Sequence, residues 1–152
     1  MTSPDDPLAR LAEGCVVDAS VAVKWVIAEE GSSEAARLLD GRPLHAPRLL
    51  GVEVGNALWV NARRGTIEEG EAADGLDVVL RVPFAWGEEE TLLPGALRLA
   101  RLLDHPIYDC VYLALAQALG LPVATADARF AKAAGRHPET APFVVPLLPG
   151  AP

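Results

Sequence analysis

Along the chain, short blocks of consecutive apolar residues alternate with longer stretches in which apolar residues return every three or four positions. The first pattern predicts buried strands and the second predicts helices packed on them. Val16-Val17-Asp18, between Gly14 and Ser20, reads as a short buried strand ending in an acid. Leu44-His45-Ala46, closed by Pro47, reads as a second, and Val82-Pro83-Phe84 as a third whose proline suits an edge or a strand end. Pro122–Thr125 and Phe143-Val144-Val145 complete the set.

Between them lie the helical patterns. Ser20 is placed to cap a helix over 21–28, and Ser32 or Ser33 one over 34–39. A helix over 48–64 should stop at Gly65. Thr66 and Glu69 have the spacing of a capping box for a helix running to Leu80. Further helices are predicted over 91–103, 107–119 (stopped by Gly120 and Pro122) and 127–134. Short apolar strands alternating with helices predict an α/β fold, a three-layer sandwich with a central, mainly parallel sheet flanked by helices. One domain over 15–146 is expected, with a flexible lead over 1–14 and a tail over 147–152.

Composition narrows the class. With 51% hydrophobic and 22% charged residues, wholesale disorder is excluded, and no apolar run reaches membrane-spanning length. The opening MTSPDDPLARLAEG is acidic and proline-containing, unlike a signal peptide. Cys15 and Cys110 each lie in an apolar run and read as reduced core thiols, which implies a cytoplasmic setting. The net charge of −8 argues against extended tracking of phosphates. It leaves room for a short, locally bound substrate or a basic protein partner. His45, His105 and His137 are scattered without zinc-ligand spacing.

The placement of the acids changes the picture most. Most of the 21 lie in groups or on polar segments, but four stand alone: Asp18 within 14–28, Glu53 within 41–67, Asp109 within 105–126 and Asp127 within 110–138. An isolated buried carboxylate costs several kcal/mol or more unless it is paired or bound to metal. Glu53 shares its helical face with Leu49, Asn56, Ala57 and Val60 and has no basic partner there, so Asn56 is the neighbour expected to hold it. Asp18 and Asp127 follow predicted strands, at the carboxyl ends where open α/β sheets bind ligands. Ser20 and Thr125 lie two residues from Asp18 and Asp127 respectively, as polar support. Structural roles remain open beside the functional one: Asp127 as a helix N-cap, Asp109 as a favourable first-turn acid and Ser20 as a cap. If the four converge, their hard oxygen donors suit Mg²⁺ or Mn²⁺, able to activate water and neutralise a scissile phosphate.

These residues, in this order, resemble the PIN-domain ribonucleases, and among them the VapC-type toxins of toxin–antitoxin pairs. The resemblance rests on VVDASVAVKW (16–25), APRLLGVEVGNALW (46–59), ALRLARLL (96–103) and HPIYDCVYLALAQALGLPVATADARF (105–130), and it covers roughly 15–146. It implies a helix-flanked parallel sheet, Mg²⁺- or Mn²⁺-dependent cleavage of RNA, a cognate antitoxin covering the site and a homodimer. It assigns Asp18, Glu53, Asp109 and Asp127 to the metal site and Ser20, Asn56 and Thr125 to its polar surround. The 14-residue lead departs from the family pattern.

Lys24, Arg48, Arg63, Arg64, Arg98, Arg101, Arg129 and Lys132 are candidate phosphate or antitoxin contacts, with Arg129 and Lys132 best placed for substrate. Trp25 and Trp59 read as core or interface residues. Two other functions compete. An Asp ending the first strand also serves as the nucleophile of aspartyl-phosphate phosphotransfer or phosphatase domains. Those domains need a lysine near a later strand end, and after PVAT only Lys132 is available. The alternative of a catalytically silent PIN-fold binding module sits poorly with four intact acids.

Overall fold

The computed structural model describes Ser3 and residues 5–147; the expected tail beyond Leu147 lies outside the described residues. Within these residues five strands form one sheet: β1 (Cys15–Val17), β2 (Leu44–Pro47), β3 (Ala85–Gly87), β4 (Val123–Thr125) and β5 (Val144–Pro146). Their order is β3-β2-β1-β4-β5 and every pairing is parallel. The register sets Val16 beside both His45 and Val123, and Val17 beside Ala124. Every residue of β1 and β4 is buried, as expected for strands covered on both faces.

Among the described residues seven helices cover the sheet: α1 (Ala19–Ala22), α2 (Ser32–Ala36), α3 (Leu49–Arg63), α4 (Glu69–Leu80), α5 (Glu89–Leu103), α6 (Ile107–Leu119) and α7 (Ala128–Gly135). Right-handed crossovers place α1 to α4 on one face and α5 to α7 on the other, completing the three layers. From β1 the chain moves outward through β2 to β3 and then returns across the sheet to β4 on the other side of β1, so the direction of winding reverses beside β1. That reversal opens a crevice at the strands' carboxyl ends. Among the described residues no helix is long and apolar enough to cross a membrane.

Several boundaries differ from the sequence expectation, each for a local reason. The helix after β1 begins at Ala19 and gives way to a 3-10 turn at Val23–Trp25, so Ser20 lies inside its first turn and caps nothing. The next helix starts at Ser32 behind Gly31, not at 34, and the Ser32 hydroxyl donates to the Ile27 carbonyl. Thr66 makes no capping box: its N–H closes α3 on the Asn61 carbonyl beside left-handed Gly65, and α4 starts only at Glu69. Val82-Pro83-Phe84 is a tight turn (Phe84 N–H to Val82 carbonyl, 2.7 Å) that sends the Phe84 ring inward between Trp25 and Trp86. The edge strand therefore forms three residues later. Phe143 belongs to the 3-10 turn that precedes β5.

The lead also departs from expectation. Residues Pro7–Leu11 form a 3-10 turn whose Leu8 and Leu11 join the core beside β5, so this part of the lead is packed. Polar contacts fix it: the Asp6 carboxylate accepts from Leu8 N–H at 3.0 Å and Arg37 at 2.8 Å, and the Arg42 guanidinium donates to the Leu11 carbonyl at 2.9 Å. Gly14 then carries the chain into β1 with φ +115°, and a Cβ there would stand 2.8 Å from the Pro43 carbonyl oxygen. Gly14→Ala is therefore expected to lower unfolding free energy by about 1–3 kcal/mol, read as a lower urea midpoint at unchanged m-value. An unchanged midpoint would refute this account of the turn.

Candidate active site

Asp18 ends β1 at the winding reversal, and its side chain is 3% exposed. One carboxylate oxygen, Oδ2, accepts two hydroxyl hydrogen bonds, from Ser20 at 2.6 Å and from Thr125 at 2.8 Å. The same hydroxyls are anchored to the backbone after β4, with Ala126 N–H donating to Ser20 Oγ and Asp127 N–H to Thr125 Oγ1. Sequence spacing thus assigned Ser20 and Thr125 to the neighbourhood where the structure has them, but both converge on Asp18. No cation pairs with Asp18 among the described residues. Burial pushes its carboxyl up to about 7, against the two hydroxyl donors, and the negative charges of Asp109 and Glu53 add to the rise.

Glu53 projects from α3 and is half-buried. Its Oε1 accepts from the Tyr112 hydroxyl of α6 at 2.6 Å. Asn56, expected to hold Glu53, is exposed and makes no side-chain hydrogen bond among the described residues; Glu53 is held instead by Tyr112, from α6. Burial raises the Glu53 carboxyl, Tyr112 opposes this, and Asp109 adds to it. Asp109 stands in the first turn of α6 with Oδ2 at 2.6 Å from Nε2 of His105. Burial raises its carboxyl too, opposed by the His105 hydrogen bond and reinforced by Asp127. Asp127 is the N-cap of α7, Oδ1 accepting from the N–H groups of Arg129 and Phe130 at 2.9 and 3.1 Å.

One pattern unites the four. Each carboxylate is fixed through a single oxygen, and its second oxygen (Oδ1 of Asp18 and Asp109, Oε2 of Glu53, Oδ2 of Asp127) makes no hydrogen bond among the described residues. No buried side-chain oxygen there lacks a partner, so these second oxygens retain some exposure to solvent. As they stand, no three His, Cys, Asp or Glu side chains among the described residues are close enough to share one ion. The donor set nevertheless fits a hard divalent cation: oxygen only, pre-fixed and mutually repelling, with no Lys or Arg paired to any of the four among the described residues. For Asp127 the cap and the site role are compatible, since they use different oxygens.

The candidate cations divide. Lys24 is engaged by Glu29 and the Glu30 carbonyl, and Arg98 by Glu139. Arg63 lies over the Trp59 ring, which is 57% exposed and so not core, while Trp25 is partly buried and donates to the Ala35 carbonyl. Arg129 and Lys132 are exposed on α7 and form no ion pair among the described residues; Arg48, Arg64 and Arg101 are likewise exposed. Sequence reasoning missed Tyr112 and His105 as partners of the acids. For His105 a signal existed in its position four residues before Asp109; for Tyr112 none did, because the contact spans 59 residues.

Comparison with known proteins identifies the family. Residues 15–136 match the PIN domain family, and the chain belongs to it. Ribonuclease VapC3 of Pyrobaculum aerophilum is 35% identical over 124 residues, covering 77% of this chain and 92% of that protein. Ribonuclease VapC12 of Mycobacterium tuberculosis is 34% identical over 125 residues, covering 82% and 95%. Among solved structures, a Pyrobaculum aerophilum protein superposes with TM-score 0.60 at 28% identity, over 78% of this chain and 84% of that one. A toxin–antitoxin complex from Klebsiella pneumoniae has a similar fold, with TM-score 0.57 at 17% identity over 88% and 98%.

Crowded acids with raised pKa values have a thermodynamic signature. The unfolded Asp18 carboxyl titrates near its ordinary value of 3.8 and the folded one near 7, so between these the folded state binds the extra proton. Its contribution to stability is complete below the unfolded value and lost as pH rises through the folded one; Glu53 and Asp109 act in the same sense. In EDTA the melting temperature should fall from about pH 5 to about pH 8, and Asp18→Asn should flatten that fall and raise Tm at the alkaline end by roughly 3 °C or more. Parallel wild-type and variant profiles in differential scanning fluorimetry would contradict this.

Proposed function

We propose that the chain is a divalent-metal-dependent endoribonuclease of the VapC toxin type. The observation that carries the reading is the set of four carboxylates, each held by one oxygen and open at the other. Its relatives at 34–35% identity are named ribonucleases, which supports RNA as the substrate class. Asp18, Glu53, Asp109 and Asp127 would hold Mg²⁺ or Mn²⁺, and such an ion supplies water activation and charge neutralisation on a phosphodiester.

The chain's own residues then have separable tasks. Ser20 and Thr125 hold Asp18 so that Oδ1 faces the crevice, and Tyr112 does the same for Oε2 of Glu53. Asp127 keeps α7 aligned through its cap while offering Oδ2. Arg129 and Lys132, on the first turns of α7, are positioned to receive phosphates flanking the scissile bond. With a net charge of −8, this contact is expected to be short, so affinity should depend weakly on salt.

A cognate antitoxin follows from the VapC-type reading, and the apolar cleft lined by Leu58, Trp59, Ala62 and Leu76 between α3 and α4 offers it a seat. Exposed Leu93, Leu97 and Leu102 on α5 give a second copy apolar surface to cover, in keeping with a homodimer. Two free, buried thiols are in keeping with a cytoplasmic protein.

The test is cleavage of a single-stranded RNA with Mn²⁺ titrated from zero. Outer partners of metal ligands are worth about 10–100-fold, so loss of a ligand in Asp18→Asn or Asp109→Asn should cost at least about 100-fold in rate. Activity that survives EDTA, or either variant, would sink the proposal; a stable acyl phosphate on Asp18 would transfer the chain to the phosphotransfer class. In the same assay, Arg129→Ala with Lys132→Ala should raise KM more than it lowers kcat, and equal loss in both would place these cations elsewhere.

A further inference from the structure

His105 is not one of the four acids, yet its side chain is only 7% exposed. Its backbone is fixed on both sides. Asp104 ends α5 in the left-handed region (φ 48°), His105 N–H donates to the Ala100 carbonyl at 3.1 Å, and Pro106 restricts the backbone of His105, the residue before it. The ring stands between two partners. At one side Nε2 is 2.6 Å from Oδ2 of Asp109, and an ionised carboxylate only accepts, so the shared proton is carried by Nε2. On its face the ring stacks on Phe130, centroids 5.8 Å apart and planes 26° from parallel. Phe130 is fully buried in α7, and its N–H is one of the two that hold Oδ1 of Asp127.

We infer that His105 is the positioning residue of Asp109 and, through its stack on Phe130, sets the spacing between Asp109 and Asp127. With Oδ2 held by His105, Asp109 keeps a single rotamer and turns Oδ1 toward the crevice. With Phe130 shared between the ring and the Asp127 cap, α6 and α7 present their carboxylates as one unit. The inference rests on the metal-site reading above. It adds a residue from outside the acidic set whose work is geometric. A purely structural role, filling space between α5, α6 and α7, predicts a loss of stability and nothing more.

Mn²⁺ binding to the full chain, measured by calorimetry and by electron paramagnetic resonance of the free ion, separates these. His105→Phe keeps the ring and its stack but removes the donor; it should melt close to wild type and bind Mn²⁺ about 10–100-fold more weakly. His105→Gln, which retains an N–H donor without the aromatic stack, should recover part of that affinity. Should His105→Phe fold poorly, His105→Gln against His105→Ala gives the same comparison, with tighter binding in the Gln variant. Wild-type affinity in His105→Phe, or equal affinity in the Gln and Ala variants, would overturn the inference while Asp109→Asn still binds weakly. Wild-type affinity in Asp109→Asn as well would remove the metal site itself, and the inference with it.

Discussion

A carboxylate taken out of water with no cation beside it is among the costliest single groups a small fold can carry, at several kcal/mol. Asp18 is such a group, and much of the surrounding structure is arranged around it. Its N–H pairs with the Ala124 carbonyl in the sheet, and its Oδ2 gathers the Ser20 and Thr125 hydroxyls. Those hydroxyls in turn receive the Ala126 and Asp127 N–H groups. The turn that leaves β4 is thereby tied to the helix that leaves β1. The two strand ends flanking the winding reversal become one rigid floor, and the other three acids are hung over it from α3, α6 and α7.

The acids are also electrostatically expensive together, since Glu53, Asp109 and Asp127 each raise the proton affinity of a neighbouring acid. The fold tolerates this by giving each carboxylate a strong hydrogen bond on one side only, which fixes direction without cancelling charge. Such a surface is strained electrostatically and ordered geometrically at the same time. Its stability should therefore be linked to whatever positive charge enters the crevice. The partners that fix direction are chemically diverse: two hydroxyls, a phenol, an imidazole and two backbone amides.

How much of this was legible in the sequence depended on the range of the interaction. The all-apolar β1 and β4, the helix over 107–119 and the stop at Gly65 were readable because periodicity and chain terminators act locally. The four acids stood out through their solitude in apolar windows, and Ser20 and Thr125 through proximity in sequence. Glu53 was placed correctly on α3, but its support was sought one turn away at Asn56 when it comes from Tyr112. The edge strand was misplaced because Phe84 is buried by aromatic packing with Trp25 and Trp86, a cause that apolar alternation does not encode. Leu8 and Leu11 were read as part of a loose lead because Arg42, which binds their carbonyls, and Arg37, which binds neighbouring Asp6, lie some 30 residues onward.

That packed lead divides the molecule's labour. Leu8 and Leu11 sit by the amino ends of the strands, next to Gly14 and the Pro43 carbonyl that receives Cys15 N–H, whereas the acids crowd the opposite, carboxyl rim. The amino-end plug is apolar and salt-bridged; the rim is acidic, and on the proposed reading it is where a cation would enter. Mutational drift at one pole can thus be absorbed without retuning the other, leaving such a fold free to vary its foundations while its chemistry stays fixed.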